Sequence, residues 1–336
     1  MVFTSLPLVF ADRGLISVTI GVSVYEPGQK AIVAWNGQEE ILILSTDVTS
    51  SQEALVLEIL PLPSEPRVEA ASFQSFERIQ EMIWEEGVNQ QTYSTEDNAR
   101  SGSIEVLFHE QIGAHNITAV VAHDAADLVE WANSFLQASS VNENITLRNF
   151  QTAVQDYVSR GFSHYVLDLI TFSPQERSID PILYRFNSST LYYPLLITSP
   201  VGGDGEIALF VLANAKVERD YWPLQPAYYR TSTQPWQEIQ FTLSRGDLAK
   251  IDLRISELLP DGAWLSVLKF EGNLGVLNRD LMISTEAFNP DTNPAPTVVI
   301  DLPYNTLVLC FLLGAASALA GMAVGFLASR VSSKKN

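Results

Sequence analysis

The amino-acid sequence predicts an α+β fold: an extracytoplasmic domain rich in antiparallel strands, with three to four helices, followed by a single C-terminal transmembrane helix. Three observations support this prediction. Apolar, β-branched runs recur in the first third and in the second half of the chain. Apolar residues at helical spacing lie between them, and 22 consecutive residues near the C-terminus carry no charge.

Strands are predicted for the first third of the chain. The segment "LISVTIGVSVY", residues 15–25, is β-branched and partly alternating. The segments "KAIVAW" and "EEILIL" flank Asn36-Gly37, a dipeptide typical of a two-residue hairpin. The next run, "ALVLEILPLP", is stopped by Pro61 and Pro63.

Three segments have the apolar spacing of amphipathic helices, and Ser72 and Asp124 are suitable N-caps for the first two. The apolar faces are Phe73, Phe76, Ile79 and Ile83; Leu128, Trp131, Ala132 and Phe135; and Phe150, Val154, Tyr157 and Val158. A short fourth helix is predicted around Leu248, Ile251 and Ile255.

The second half returns to strands, with the segments "HYVLDLITF", "TLYYPLLIT", "EIALFVLAN", "EIQFTL" and "AWLSVLKF". The segment "FNPDTNPAPT", residues 288–297, has three prolines and is typical of an extended spacer. The predicted organisation is a signal peptide truncated at its start (1–11), an α+β domain (12–288), a Pro/Asn-rich stalk (289–304), a transmembrane helix (305–329) and a basic cytoplasmic tail (330–336). The alternative for residues 1–11 is a first strand of the domain.

The uncharged segment is "LVLCFLLGAASALAGMAVGFLA", residues 307–328. As a helix it would extend about 33 Å, against roughly 30 Å for the hydrocarbon core of a bilayer. Arg330, Lys334 and Lys335 follow it, whereas Asp291 and Asp301 precede it. The positive-inside rule therefore predicts a cytoplasmic C-terminus and an N-terminal domain outside the cell membrane, with the lipid bilayer as one partner. The alternative is a buried core helix.

Within that segment Ser317, Gly321 and Gly325 recur every four residues. Small residues on one helix face allow two transmembrane helices to approach closely, so these residues predict a weak homodimer. The alternative is a plain anchor.

Composition excludes some classes of function. The net charge of −19 repels phosphate backbones, so nucleic acid is not an expected partner. The only cysteine, Cys310, lies in the uncharged segment, and the exterior domain therefore has neither a disulfide nor a thiolate metal site. Three sequons, at Asn116, Asn144 and Asn187, predict glycosylation in a host with the machinery.

Three of the four histidines lie within the segment "HEQIGAHNITAVVAHD", residues 109–124. Glycine, not histidine, stands four residues after His109, so the zinc-protease spacing is missing and the segment predicts a hairpin around Gly113. In the return strand His115 and His123 would point inward and Asn116 outward, with about 26 Å between the two histidines. We therefore predict no metal, cofactor or catalytic residue here. A metal site that breaks the strand, or catalysis, is the alternative.

The segment "DYWPLQPAYYRTSTQPW", residues 220–236, concentrates aromatic residues. Rings of this kind can form platforms for sugars or peptides. The candidate binding residues are Tyr221, Trp222, Tyr228, Tyr229 and Trp236. The alternative is a loop that packs its rings onto the core.

Several segments resemble an uncharacterised family of exported archaeal and bacterial proteins, a domain of unknown function. They are "QKAIVAWNGQEEILILSTDV", "ALVLEILPLPSEPRVEAASFQSFERIQEM", "VLFHEQIGAHNITAVVAHDAADLVEWANSFL", "PILYRFNSSTLYYPLLIT" and "LKFEGNLGVLNRDLMI". The resemblance covers residues 29–283 and implies a secretion signal and a C-terminal membrane anchor, but no functional residues. The cysteines that some members have near the start are missing here.

Two functions are consistent with these sequence features. The first is a single-pass membrane-anchored cell-surface protein that acts as a binding or envelope-structural module, with an envelope protein or glycan as partner. The second is an envelope hydrolase that acts on glycan or peptide with unrecognised catalytic carboxylates. The first predicts no deep cleft with convergent titratable groups, whereas the second requires one.

Overall fold

The computed structural model describes residues 16–17, 24–50, 53–86, 105–112, 114–138, 147–172, 179–200, 202–229 and 237–289. All of them belong to one compact unit, Met1–Pro296. No helix within these ranges is long and apolar enough to cross a bilayer. The predicted signal peptide (1–11), transmembrane helix (305–329) and tail (330–336), together with residues 290–304 of the stalk, lie outside the described residues.

The described residues contain nineteen strands, most of them formed by the apolar runs seen in the sequence. They are β1 (Ile16–Ser17), β2 (Val24–Trp35), β3 (Glu39–Ser50), β4 (Ala54–Leu62), β5 (Arg67–Ala70), β6 (Glu105–Ile112), β7 (His115–Val121), β8 (His164–Phe172), β9 (Ile179–Asn187), β10 (Leu191–Tyr193), β11 (Asp204–Ala213), β12 (Lys216–Val217), β13 (Gln225–Pro226), β14 (Tyr228–Tyr229), β15 (Gln237–Glu238), β16 (Gln240–Leu243), β17 (Ala263–Asn273), β18 (Leu281–Ile283) and β19 (Phe288–Asn289).

Two large sheets organise these strands. One has five strands in the order β1-β4-β8-β7-β6, all antiparallel. The other has eight strands in the order β13-β17-β11-β2-β3-β9-β5, with β16 also paired to β17. The pairing is antiparallel throughout this sheet except between β2 and β11, which run parallel. The prediction of a mixed, antiparallel-rich α+β domain is confirmed in these coarse terms.

Five α-helices lie within the described residues: α1 (Phe73–Glu85), α2 (Ala125–Ala138), α3 (Arg148–Ser159), α4 (Arg245–Ile251) and α5 (Leu253–Leu258). The first two begin at the predicted caps, because Ser72 accepts from the Gln74 amide and Asp124 accepts from the Ala126 amide. The predicted fourth helix is two helices. Asp252 has extended backbone, ends α4 and caps α5 through the Arg254 amide, which divides the predicted segment.

The described residues form three apolar cores, and the two larger ones cover the faces of the eight-stranded sheet. Along β2 and β3, Ala31, Val33, Leu42 and Leu44 belong to a core shared with the five-stranded sheet, α2 and α3. The alternate residues Ile32, Ala34, Ile41 and Ile43 belong to a second core with α1, α4 and α5. The eight-stranded sheet is therefore covered on both faces, and the order of layers is helix, sheet, sheet, helix.

The histidine hairpin forms as predicted, with Ile112 paired to His115 on either side of Gly113. The prediction that Asn116 points outward is wrong, because Asn116 is fully buried. The interior strand β7 lies between β6 and β8 and is covered on both faces. Alternate residues of this strand therefore do not divide into a buried face and a solvent-exposed face.

Candidate functional site

The clearest candidate site is a pocket of about 230 Å³ on the face of the eight-stranded sheet that also carries α1. Its charged and polar lining residues are Lys30, Gln80, Glu206 and Lys269, together with Gly28 and Gln29. The apolar lining residues are Ile83, Ala208, Phe210, Ala227, Ile239 and Val267. This volume suits a small ligand, since sites for drug-sized molecules usually measure about 300–1,000 Å³.

Strand pairing explains why two lysines meet there. Ala208 of β11 lies opposite Lys30 of the parallel strand β2 and opposite Lys269 of the antiparallel strand β17. Directly paired residues share a face of the sheet, so the two lysines flank one small alanine. Both lysines are half-buried.

Acidic residues lie one row further along the same face. Glu206 pairs with Glu271 across β11 and β17, and Lys269 Nζ contacts Glu271 Oε2 at 3.2 Å. The Glu271 side chain is 70% exposed, so this ion pair contributes roughly 0–1 kcal/mol. Of the two carboxylates only Glu206 lines the pocket. The pocket lining therefore carries two positive charges and one negative charge.

The opposite end of the pocket is apolar. Phe210 and Val267 are paired across β11 and β17 and belong to the second core. Ala227 and Ile239 form one wall, where the Ala227 amide donates to the Val267 carbonyl and the Ile239 amide donates to the Ala227 carbonyl. Ile83 of α1 contributes the other wall. The arrangement has a charged end and an apolar end, which is the form of a site for an amphipathic small molecule.

The predicted aromatic residues have different surroundings in the structure. Trp222 is 65% exposed and Tyr228 is 49% exposed, whereas Tyr221 packs against the larger core. Tyr229 lies in β14, and Trp236 lies outside the described residues. None of the described rings of this loop is among the residues that line the pocket, and Ala227 is the lining residue that the described part of the loop contributes.

The histidines of the hairpin segment occupy different places. His115 is buried, His123 is exposed beyond the end of β7, and His109 lies in β6. His115 contacts Asp168 of β8 through Nδ1, and its Nε2 lies 2.9 Å from the Asp180 carbonyl of β9. His115 and Asp168 therefore lie between the two large sheets.

Geometry fixes one proton of this pair. A carbonyl only accepts, so His115 Nε2 donates to Asp180, and the Nδ1–Asp168 contact holds one further proton. Glu58 lies directly opposite Asp168 on β4 and is also buried, so two carboxylates are paired across these interior strands. His115 and Asp168 are 3% and 2% exposed, so no substrate reaches them in this structure. Their position fits a structural role between the sheets.

A second network joins the C-terminal end of α3 to Asp280, the residue before β18. Asp280 Oδ1 accepts from the Tyr157 hydroxyl at 2.6 Å and from the Leu196 amide at 2.9 Å, and Oδ2 accepts from Arg160 at 2.8 Å. Burial raises the pKa of Asp280, while these donors act in the opposite direction. Burial and the neighbouring Asp280 also raise the pKa of the Tyr157 hydroxyl.

The predicted sequons differ in accessibility. Asn116 is fully buried, and a glycan on its amide would need space that the folded domain does not have. Asn187 is exposed at the end of β9, and Asn144 lies outside the described residues. Within the described ranges, no cluster of three or more His, Asp, Glu or Cys residues is placed to hold a metal ion.

Sequence reasoning missed both the pocket and the buried carboxylates. A signal for the carboxylates was present, because Glu58 and Asp168 are single charges inside the apolar runs "LVLEILPL" and "YVLDLITF". A lone carboxylate in a buried strand requires a partner. The lysine pair had no such local signal, because Lys30 and Lys269 meet only through the pairing of β2, β11 and β17.

Comparison with known proteins gives a family but no activity. No curated protein matches the chain. Two solved structures of a mutated baculovirus P35 after caspase cleavage are similar, with TM-scores of 0.36 and 0.39 and identities of 8% and 10%. These matches cover 77% of this chain and 97% and 99% of the other chains. The family described as "Uncharacterized protein conserved in bacteria (DUF2330)" matches residues 14–232. Since that range is more than half of the 336 residues, the protein belongs to this uncharacterised bacterial family.

Proposed function

We propose that this protein is a single-pass membrane-anchored cell-surface protein whose exterior domain acts as a binding module. The observation that carries the proposal is the pocket beside α1, where two lysines at one end face an apolar wall at the other. Such a combination provides a polar anchor and a desolvated surface, which a binding site needs. It offers a more specific role than a purely structural part of the envelope.

The anchoring part of the proposal is supported by residues 307–328, which carry no charge, and by the basic residues Arg330, Lys334 and Lys335 that follow. A span of this length with positive charge on one side favours an N-terminal domain outside and a cytoplasmic C-terminus. Export of the domain before residue 305 follows from this topology.

The envelope hydrolase is less well supported. Glycosidases place two carboxyl groups about 5–9.5 Å apart around the scissile bond, but Glu206 is the single carboxylate among the described lining residues. Among the described residues, Glu58 and Asp168 are paired but buried between the sheets, and Glu206 and Glu271 are paired and exposed, but Glu271 is not among the residues that line the pocket. Turnover of a glycan or peptide that disappears in Glu206→Gln would favour the hydrolase instead.

The topology is tested with a C-terminal epitope tag on the full chain. Protease added to intact cells is expected to degrade the domain before Asn305 and to leave the tagged tail intact, while lysis exposes the tail as well. Deletion of residues 305–336 is the matched control and should release the domain from the membrane fraction. Survival of the whole domain under conditions that digest a known surface marker would refute the exterior location.

A further inference from the structure

We propose that the pocket beside α1 binds a small carboxylate with an apolar body, held at its charged end by Lys30 and Lys269. This inference names the ligand class for the proposed binding function, and it rests on that proposal for the statement that the domain is a binding module. The ligand class follows from the order of paired residues along one face of the sheet. Lys30, Ala208 and Lys269 are paired across three strands, and two residues further along β11 Phe210 is paired with Val267.

The charged end is built by strand register. Two strand spacings, about 9.6 Å, separate the backbones of Lys30 and Lys269, with Ala208 midway between them. The alanine side chain leaves the space above it open. Each lysine has a flexible four-carbon stem, so both ammonium groups can donate to one carboxylate held over Ala208.

The apolar end begins one row along the same face. Phe210 and Val267 are each 6% exposed, and Ile239 is also 6% exposed. Ile83 of α1 faces them across the pocket. An aryl or branched alkyl group placed here would complete the burial of these side chains, and each square ångström of apolar surface removed from water favours binding.

The charge balance favours an anion over a cation. The pocket carries two ammonium groups and one carboxylate, Glu206, on a protein whose net charge is −19. Lys30 and Lys269 are two of the few lysines in the chain, and both line this pocket. The exposed ion pair of Lys269 with Glu271 does not compete strongly, because a half-exposed pair is largely screened by water.

The test measures binding to the purified full chain in detergent micelles. The probe is 3-phenylpropionate. It is compared with 3-phenylpropanamide, which is its neutral isostere, and with acetate, which has the carboxylate without the phenyl group. We expect saturable calorimetric binding of 3-phenylpropionate, at least about tenfold stronger than binding of the amide and of acetate, because the amide loses the charge-assisted hydrogen bonds and acetate lacks the apolar body.

Variants locate the site. Lys30→Gln and Lys269→Gln should each weaken binding of 3-phenylpropionate about tenfold. Ala208→Leu should abolish it by filling the space between the lysines. Lys250→Gln is the matched control, since Lys250 lies on α4, pairs with Asp247 and does not line the pocket.

A measurement on the unaltered protein locates the site even where a variant does not fold. Bound 3-phenylpropionate should protect Lys30 and Lys269, but not Lys250, from chemical acetylation followed by mass spectrometry. Equal affinities for acid and amide, no binding of either, or equal protection of all three lysines would overturn the proposed ligand class. None of these results would affect an exterior location established by the protease experiment. Conversely, a protease experiment that refutes the exterior location would not change the measured binding of 3-phenylpropionate.

Discussion

Glu40 illustrates, at the scale of a single residue, how this protein accommodates charge in its core. Its side chain is fully buried, and Oε2 accepts from the Tyr192 amide at 2.7 Å. Oε1 has no partner among the described residues. Desolvation raises the pKa of this carboxyl well above 4.5, and the hydrogen bond from Tyr192 only partly opposes the rise. Glu40 is therefore protonated in the folded protein over a pH range in which the unfolded chain is ionised.

The contribution of Glu40 to the stability of the protein should consequently fall as pH rises. Because the pKa is raised in the folded state, the contribution of Glu40 is fully present below about pH 4.5 and is lost as pH approaches the folded pKa. The slope is up to about 1.4 kcal/mol per pH unit.

We expect Glu40→Gln, which has no proton to lose, to flatten the dependence of the unfolding free energy on pH and to be more stable than the unaltered protein at pH 8. Urea unfolding at pH 5 and pH 8 measures this. Glu53→Gln, at an exposed site, is the control, and parallel profiles for Glu40→Gln and the unaltered protein would contradict the prediction.

Asp280 and Asp156 both bind Arg160 and provide a second comparison of single residues. The Asp280 side chain is fully buried and also accepts from Tyr157 and Leu196, whereas the Asp156 side chain is 48% exposed. Asp280→Ala would leave these donors without an acceptor and should cost about 3–5 kcal/mol. Asp156→Ala should cost less than about 1 kcal/mol. Denaturant unfolding followed by tryptophan fluorescence gives both values, and similar losses would show that burial does not determine the strength of this network.

At the scale of elements, two glycines in turns have left-handed backbone but different surroundings. Gly161 follows α3 with φ of +88° and has nothing within 4 Å of an added Cβ. Gly262 ends the turn between α5 and β17 with φ of +93°, and an added Cβ would lie 2.6 Å from the Leu243 carbonyl oxygen. Gly161 therefore requires glycine for its backbone angle alone, and Gly262 requires it for both angle and space.

Alanine substitution should separate these two requirements. Gly161→Ala is expected to cost about 1–2 kcal/mol from the left-handed conformation. Gly262→Ala should cost roughly 1–3 kcal/mol more, because the backbone of β16 must also move. Thermal or urea unfolding of the two variants tests the order. A loss for Gly161→Ala that equals or exceeds the loss for Gly262→Ala would contradict the steric argument.

Elements whose signals are local could be predicted from the sequence, and elements defined by their neighbours could not. Ser72 and the residues Phe76, Ile79 and Ile83 sufficed for α1, because cap and apolar face lie within one segment. The orientation of Asn116 was predicted wrongly, since it depends on what covers the second face of β7. The row of Lys30, Ala208 and Lys269 depends on pairings between distant segments, so the candidate site itself had no local signal.

For the whole molecule, the parallel pairing of β2 with β11 has a consequence for the order in which the chain is made. The hairpin of β2 and β3 is complete once residue 50 has been synthesised, but β2 lacks its second neighbour until residues 207–213 follow. During that interval the β2 edge presents unpaired amide and carbonyl groups, which is the kind of edge that recruits strands from other chains. Pairing of β2 with β11 is thus a late event that needs about two thirds of the chain. A nascent or prematurely ended chain would keep an unpaired strand edge at β2, which contributes to the floor of the pocket in the finished protein.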